Sequence, residues 1–318
     1  MTNGIVLSLI GVTSIGIAGA IQKFLAKKYE NHLALVIQYI GVVLFVFLWL
    51  LLSSHIDWTN IRPHLTITHI GLLWIIGIIW FIGILFLRKW FEKMNSWVVL
   101  IIANISVFLM YFANLYLFDG GEKLPLAQTI LAILFFIVIT QFLVNKPLRK
   151  KKSPHTNELK NNNTKKKKLK INRAAIYPIV TAISRSIFFV GNTYFIKNNI
   201  LRPSQSQFFT EWTIFLVTII VFLWKFKASF SLFKKIVPKD LLRFTIETLS
   251  LTAGSLLLYY AYINTPANVV NVLRLFGIIV TALLTRIFLK DTMSKRNIIL
   301  MSFSFIILIL FIFSDQLF

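Results

Sequence analysis

The chain has no cysteine, so disulfides, thiolate nucleophiles and cysteine-ligated metals are excluded, and the redox compartment leaves no trace. Acidic residues are scarce, with 11 Asp and Glu against 34 Lys and Arg. Charge of either sign is scarce too, at 14% of 318 residues, where a soluble domain carries about 25%. No glycine-rich loop of the kind that cradles phosphate is present, which argues against nucleotide-driven pumping by this chain alone. Nothing resembles a selectivity filter. His55, His64 and His69 with Asp57 are the only metal-like grouping, and spacings of nine and five give no ready helical metal site. A plain loop accounts for them better. The chain is therefore not read as an enzyme, and it calls for no cofactor.

What is abundant is apolar surface. Apolar residues make up 57% of the chain, and mean hydropathy is +0.76. Too little polar surface remains to cover a globule in water, and apolar runs of roughly 20 residues match the hydrocarbon thickness of a bilayer. Runs bounded by polar or Pro/Gly punctuation predict spans near 4–22, 33–53, 69–87, 97–118 and 124–144, then 174–196, 206–224, 244–262, 267–289 and 297–314. The expected fold is all-α: a polytopic membrane protein with ten transmembrane helices. The first run lacks a basic flank and a small-x-small cleavage site, so it reads as a mature span rather than a signal peptide.

Residues 145–173 are rich in Lys and Asn and nearly free of large apolar side chains, the composition of a disordered linker. They divide the chain into a first five-helix repeat, 1–144, and a second, 174–318. A net charge of +23 invites a nucleic-acid reading, but the cations lie between apolar runs and no hydrophilic domain exists to present them to a phosphate backbone. Sorted by side, alternate connections carry 27 Lys and Arg against 4. The positive-inside rule then puts the linker in the cytoplasm and both termini outside a cell membrane. The lysine run serves topology; binding of anionic lipid is its alternative role.

A shift of 169 residues superposes the fourth and fifth spans on the ninth and tenth without a gap. Met94-Asn95-Ser96 falls on Ile263-Asn264-Thr265, Ala113 on Ala282, Glu122 on Asp291, and Gln38-Tyr39 on Gln207-Phe208. Because each half holds an odd number of spans, the halves enter the membrane in opposite senses, as inverted repeats do. Asn264-Thr-Pro-Ala-Asn268, followed by an apolar helix and Phe288-Leu-Lys-Asp-Thr-Met-Ser294, resembles the second-half signature of the drug/metabolite transporter superfamily, EamA type. There a Thr-Pro-Ala-like turn opens a helix that ends in Leu-Gly-Glu-x-Leu-Ser. Phe118-Asp-Gly-Gly-Glu-Lys-Leu124 resembles the same motif in the first half, and Lys290-Asp291 replaces its Gly-Glu in the second. The resemblance implies a ten-helix secondary transporter of a small solute. Two features differ from the family: Gly277 stands where a proline is usual, and the charge count puts the termini outside.

A charge at the bilayer centre costs on the order of 3 kcal/mol, so each one inside a span is a functional candidate. Arg185 lies about 11 residues into the sixth span, on a stripe with Thr181 and Asn192. Arg274 lies at similar depth in the ninth, with Asn271, Gly277, Thr281 and Thr285. Glu211 shares a face with Gln207 and Thr218 in the seventh, and Glu247 sits near the cytoplasmic mouth of the eighth with Ser250 and Gly254. Three readings of this set stay open. The arginines could bind a carboxylate or phosphate of an anionic metabolite; Glu211 could pair with one of them structurally; or Glu211 could couple a proton to export of a cationic drug. A lipid-linked flippase would share the same fold and charge pattern. Asn104, Tyr111 and Asn114 are softer candidates for the first-half wall of a cavity, and Gly4, Ser8, Gly11, Ser14 and Ala18 form a packing face on the first span.

Overall fold

The computed structural model describes residues 2–52, 65–93, 106–118, 124–141, 176–226, 233–234, 236–290 and 295–317. The predicted linker 145–173, Asn104, His55, His64, Asp57, the Met94-Asn95-Ser96 segment and Glu122 lie outside these residues. Every described element of regular length is a helix. In chain order they are α1 (Thr2–Lys28), α2 (Asn31–Leu52), α3 (Ile67–Lys93), α4 (Ser106–Leu117), α5 (Leu126–Gln141), α6 (Ile176–Lys197), α7 (Pro203–Phe226), α8 (Pro238–Asn264), α9 (Ala267–Leu273), α10 (Phe276–Leu289) and α11 (Lys295–Leu317). Among the described residues, α1, α2, α3, α6, α7 and α8 are long and apolar enough to cross a bilayer, which makes this a polytopic membrane protein.

The helices outrun the apolar windows that predict them. Lys27 and Lys28 extend α1, because long basic side chains can leave the apolar zone while their backbone stays helical, and α3 extends through Arg88 to Lys93. Proline marks starts where its missing N–H costs nothing: Pro203 opens α7, Pro238 opens α8, and Pro266 precedes α9. Within the spans, hydroxyls return their hydrogen bonds to the carbonyl four residues back. Ser186 donates to Ala182 O (2.8 Å), Thr193 to Phe189 O (2.7 Å), Thr218 to Ile214 O (2.6 Å) and Thr248 to Phe244 O (2.7 Å). A buried Ser or Thr handled in this way is self-sufficient and leaves no group open.

Large apolar side chains face outward, such as Trp224, Phe288, Ile220 and Leu242 at 61 to 83% exposure, while buried Ser, Thr, Asn and Gln share the interior with an apolar core. That distribution suits lipid outside and close helix contact inside. α1 runs along α8 and α10, α3 along α6 and α7, and α2 along α7 and α8; α4 meets α6 and α9, and α5 meets α11. Gly11 of α1 and Gly254 of α8 face one another so closely that a Cβ on either would press on the other's carbonyl oxygen, at 2.8 and 2.6 Å. Of the small face expected on the first span, Gly4 and Gly11 press on α8 and its C-terminal turn; Gly16 and Gly19, which are not part of that face, meet Val280 and Thr281 of α10.

Over the predicted ninth span, 267–289, α9 ends at Leu273 and α10 begins at Phe276, with Arg274 and Leu275 between them in right-handed helical backbone. Leu275 N–H donates to Val272 O and Gly277 N–H to Arg274 O, at 3.0 and 3.1 Å. These three-residue steps tighten the helix into a short 3₁₀ turn.

Candidate functional site

Side chains of α1, α2, α3, α6, α7, α8 and α10 surround a cavity of ≈120 Å³, room for on the order of ten waters or the polar part of a small solute. Arg185, Glu211 and Arg274, separated by up to 89 positions in the sequence, all line it. Part of its wall is aromatic. Trp80 stacks on Phe188 with ring centroids 5.3 Å apart, and Phe189 lies 6.3 Å from the same indole.

Arg274 sits at the turn between α9 and α10 and is 3% exposed. Its guanidinium carbon lies 3.2 Å from the Phe189 ring centroid, and that of Arg185 lies 5.7 Å from the same ring, so one phenyl face carries two cations. Nη1 of Arg274 donates a long 3.5 Å bond to Asn271 Oδ1, which also accepts the Tyr262 hydroxyl at 2.9 Å. Asn271 thereby ties the arginine to α8. Nε and Nη2 of Arg274 have no acceptor. A buried guanidinium with two open donors carries a desolvation cost that nothing in the described residues offsets.

Glu211 is 5% exposed, and its Oε2 accepts no hydrogen bond. No described residue forms an ion pair with it, so the structural pairing with an arginine, one of the sequence readings, is absent here. The hydroxyls of Tyr39 and Tyr259 lie within electrostatic reach of the carboxyl.

Glu247 departs from expectation. It is fully buried and lines the cavity rather than a mouth, on a stripe with Leu251 and Ser255, while Gly254 turns toward α1. Its partner is Arg88, read from sequence as a loop cation because the apolar run stops at Leu87. α3 continues to Lys93, and Arg88 has no exposed surface. Its Nη2 donates to Glu247 Oε1 at 3.3 Å and to Gln38 Oε1. Lys23, likewise counted between spans, is buried within α1.

Thr181, Gly277 and Thr281 also line the cavity, whereas Asn192, Gln207, Asn114 and Tyr111 pack between or along helices away from it. Asn192 accepts the Ser206 hydroxyl at 2.6 Å and donates to Phe188 O at 2.8 Å, linking α6 to α7. Gln207 reaches Thr252 O of α8 at 3.4 Å. Asn114 donates to Asn268 Oδ1 at 3.2 Å, linking α4 to α9. Tyr111 is partly buried against the core and edge-on to Phe112 at 5.6 Å. His69 stands over Phe195 at 5.8 Å and exchanges hydrogen bonds with Thr66 at the start of α3; no metal-competent cluster occurs among the described residues.

A second charged cluster closes the ends of α1, α2 and α8. Asp240, 1% exposed, accepts the Lys28 ammonium, the Tyr29 hydroxyl at 2.6 Å and Arg243 Nη1 at 2.5 Å. Nearby, Lys225 at the end of α7 bonds Glu30 at 3.1 Å.

No family model matches the chain, and no curated protein matches it. Solved structures do: 25 chains match, among them a crystal structure with a TM-score of 0.64 that covers 98% of this chain and 96% of its own. At 13% sequence identity the likeness concerns the fold alone.

Proposed function

We propose that this protein is a secondary transporter that carries a small organic solute across the cell membrane by alternating access and recognises an anionic group on that solute through Arg274. The carrying observation is the cavity itself: it is enclosed by helices from both halves and receives a buried guanidinium with two open donors. Arg88 also keeps Nε and Nη1 open, but it has a carboxylate partner in Glu247, whereas no carboxylate pairs with Arg274 among the described residues.

The architecture proposed with it is ten spans in two inverted five-helix halves, residues 1–144 and 174–318, of the drug/metabolite transporter type. In this reading α9 and α10 together form the ninth span. Exchanging spans 1 to 5 with 6 to 10 turns the α1–α8 contact into α6–α3, α3–α7 into α8–α2, and α1–α10 into α6–α4, all of which occur. That two-fold pattern supports inverted repeats. Ion pairs from Lys28 to Asp240 and Lys225 to Glu30 join the ends of spans 1, 2, 7 and 8, as the charge-sorted topology requires. The linker 145–173 is then cytoplasmic and the termini extracytoplasmic. An ion gradient or exchange would supply the energy. One observation favours a second reading, a proton-coupled exporter of cations: the open Oε2 of Glu211 in the same cavity.

The test is counterflow in proteoliposomes holding the full chain, with a solute panel spanning anions, zwitterions and cations. Solutes bearing a carboxylate or phosphate are expected to exchange, at a rate lowered at least about tenfold by Arg274→Gln and partly restored by Arg274→Lys. Equal exchange by the wild type and Arg274→Gln, or no exchange of any solute, would overturn the proposal.

A further inference from the structure

Ion pairs from Glu30 to Lys225, Lys28 to Asp240 and Arg88 to Glu247 join residues 1–144 to residues 174–318, all toward the end of the bundle where α1, α3 and α7 stop and α8 starts. The first pair is exposed, the second half-sheltered and the third wholly buried. Glu247 stands two turns beyond Asp240 along α8, about 10 Å deeper at 1.5 Å per residue.

The two deeper pairs connect different things. Lys28 and Asp240 join α1 to α8, helices already packed backbone to backbone at Gly11 and Gly254. α3 is packed as closely on α6, where Gly83 meets Ser184 and Gly191 meets Ile76 with no room for a Cβ. By contrast, α3 and α8 do not run along one another. The cavity lies between them, lined by Trp80, Ile84 and Leu87 from α3 and by Glu247, Leu251 and Ser255 from α8. Arg88 bridges that space to Glu247 Oε1, with Gln38 of α2 as its second acceptor.

From this placement we infer that the Arg88–Glu247 ion pair is a latch: it ties the α3–α6 pair of helices to the α1–α8 pair at the cytoplasmic end of the cavity, and it parts when the cavity opens to that side. Parting requires no unpacking at Gly11–Gly254 or Gly83–Ser184, because the pair crosses a space rather than a packed seam. Nε and Nη1 of Arg88 and Oε2 of Glu247 meet no protein group, so water entering from that side adds hydrogen bonds at once. A buried pair separated into water recovers part of the hydration that each charge gave up, which a pair separated in a dry core does not. Asp240 lies within the α1–α8 pair and stays closed while the latch opens. The exposed Glu30–Lys225 pair turns to water at little cost.

This inference rests on the alternating-access reading. Its test exploits the absence of native cysteine. A single cysteine replacing Ser255 on the cavity wall is challenged in inside-out membrane vesicles holding the full chain, with one cationic and one anionic membrane-impermeant methanethiosulfonate added at the cytoplasmic face. Glu247→Gln is expected to raise the labelling rate about ten- to a hundredfold with both reagents, the worth of one charged hydrogen-bonded contact. Glu247→Asp, which keeps the charge and shortens its reach, should raise it by less, and it carries the test if Glu247→Gln fails to fold. Asp240→Asn should leave the rate unchanged. A cysteine replacing Ser304, buried in α11 away from the cavity, should stay unreactive in every variant, which separates opening from unfolding. Labelling at position 255 that neither Glu247 variant accelerates would overturn the latch, as would equal acceleration by Asp240→Asn or reaction at position 304 in step with 255. No solute is needed for this measurement, so a failed latch would leave Arg274-dependent counterflow, and with it the carrier reading, standing.

Discussion

Asp240 and Glu211 are both carboxylates within apolar helices, 1% and 5% exposed, and their surroundings treat them in opposite ways. Asp240 receives an ammonium, a phenol and a guanidinium from α1, the α1–α2 turn and α8. Glu211 has an oxygen that nothing meets. Arg88 and Arg274 each keep two donors open and differ instead in whether a carboxylate stands beside them. Arg88 is tied to Glu247 and Gln38 across three helices, whereas Arg274 is held by a ring face and one long bond. A buried charge that meets an opposite charge joins helices. A buried charge with no opposite charge beside it contributes little to cohesion, and its cost is tolerated where a ligand completes it.

The strongest way to break this comparison is at Arg88. Removing one partner of a buried ion pair leaves the other uncompensated, so Arg88→Gln is expected to lower stability by about 3–5 kcal/mol, and Arg88→Met combined with Glu247→Met should recover most of that loss. Thermal unfolding of the purified protein measures both. A double variant no more stable than the single one would mean that the two side chains do not act as a unit.

Asp240→Asn tests the clamp at the helix ends. Three donors lose their anionic acceptor, but Lys28 and Arg243 keep 42% and 35% side-chain exposure and can turn to water, which discounts their share. The expected loss is on the order of 2 kcal/mol, again read from thermal unfolding, with solute exchange per folded molecule unchanged. Exchange lost without loss of stability would move Asp240 from the clamp to the transport site.

The parts of this arrangement legible in the sequence are those where a residue type contradicts its neighbourhood. Arg185, Glu211 and Arg274 stand out because charge inside an apolar run is costly, and all three reach one cavity. Arg88 did not, because it lies just beyond the run and burial of a helix extension depends on what packs against it. Glu247 looked peripheral for the same reason: depth along α8 is set by where α3 ends, not by distance from Arg243. Phe189 was invisible among 30 phenylalanines, since no periodicity separates a ring that carries two guanidinia from one that faces lipid. The 3₁₀ turn at Arg274 carries no proline; only the hydrogen bonds of Leu275 and Gly277 reveal it. Lys290 shows the converse. It adopts φ 52°, ψ 33° at the end of α10, a left-handed conformation that glycine takes without strain and that a side chain adopts at a cost, which nothing in the sequence marks.

The smallest expected effect sharpens the comparison most. Glu211→Gln removes a buried charge whose Oε2 has no donor, so the desolvation it relieves offsets whatever the carboxylate gains from the nearby tyrosine hydroxyls. Stability should therefore stay within about 1 kcal/mol of the wild type, or rise, under the same conditions in which Asp240→Asn loses on the order of 2. Solute exchange should fall at least about tenfold in the same variant. The two carboxylates would then divide cleanly, one trading stability and the other trading transport. A Glu211→Gln protein that melts as early as Asp240→Asn would mean that Glu211 has a structural partner in the membrane, and the open valence on which the cavity's acidic pole depends would be lost with it.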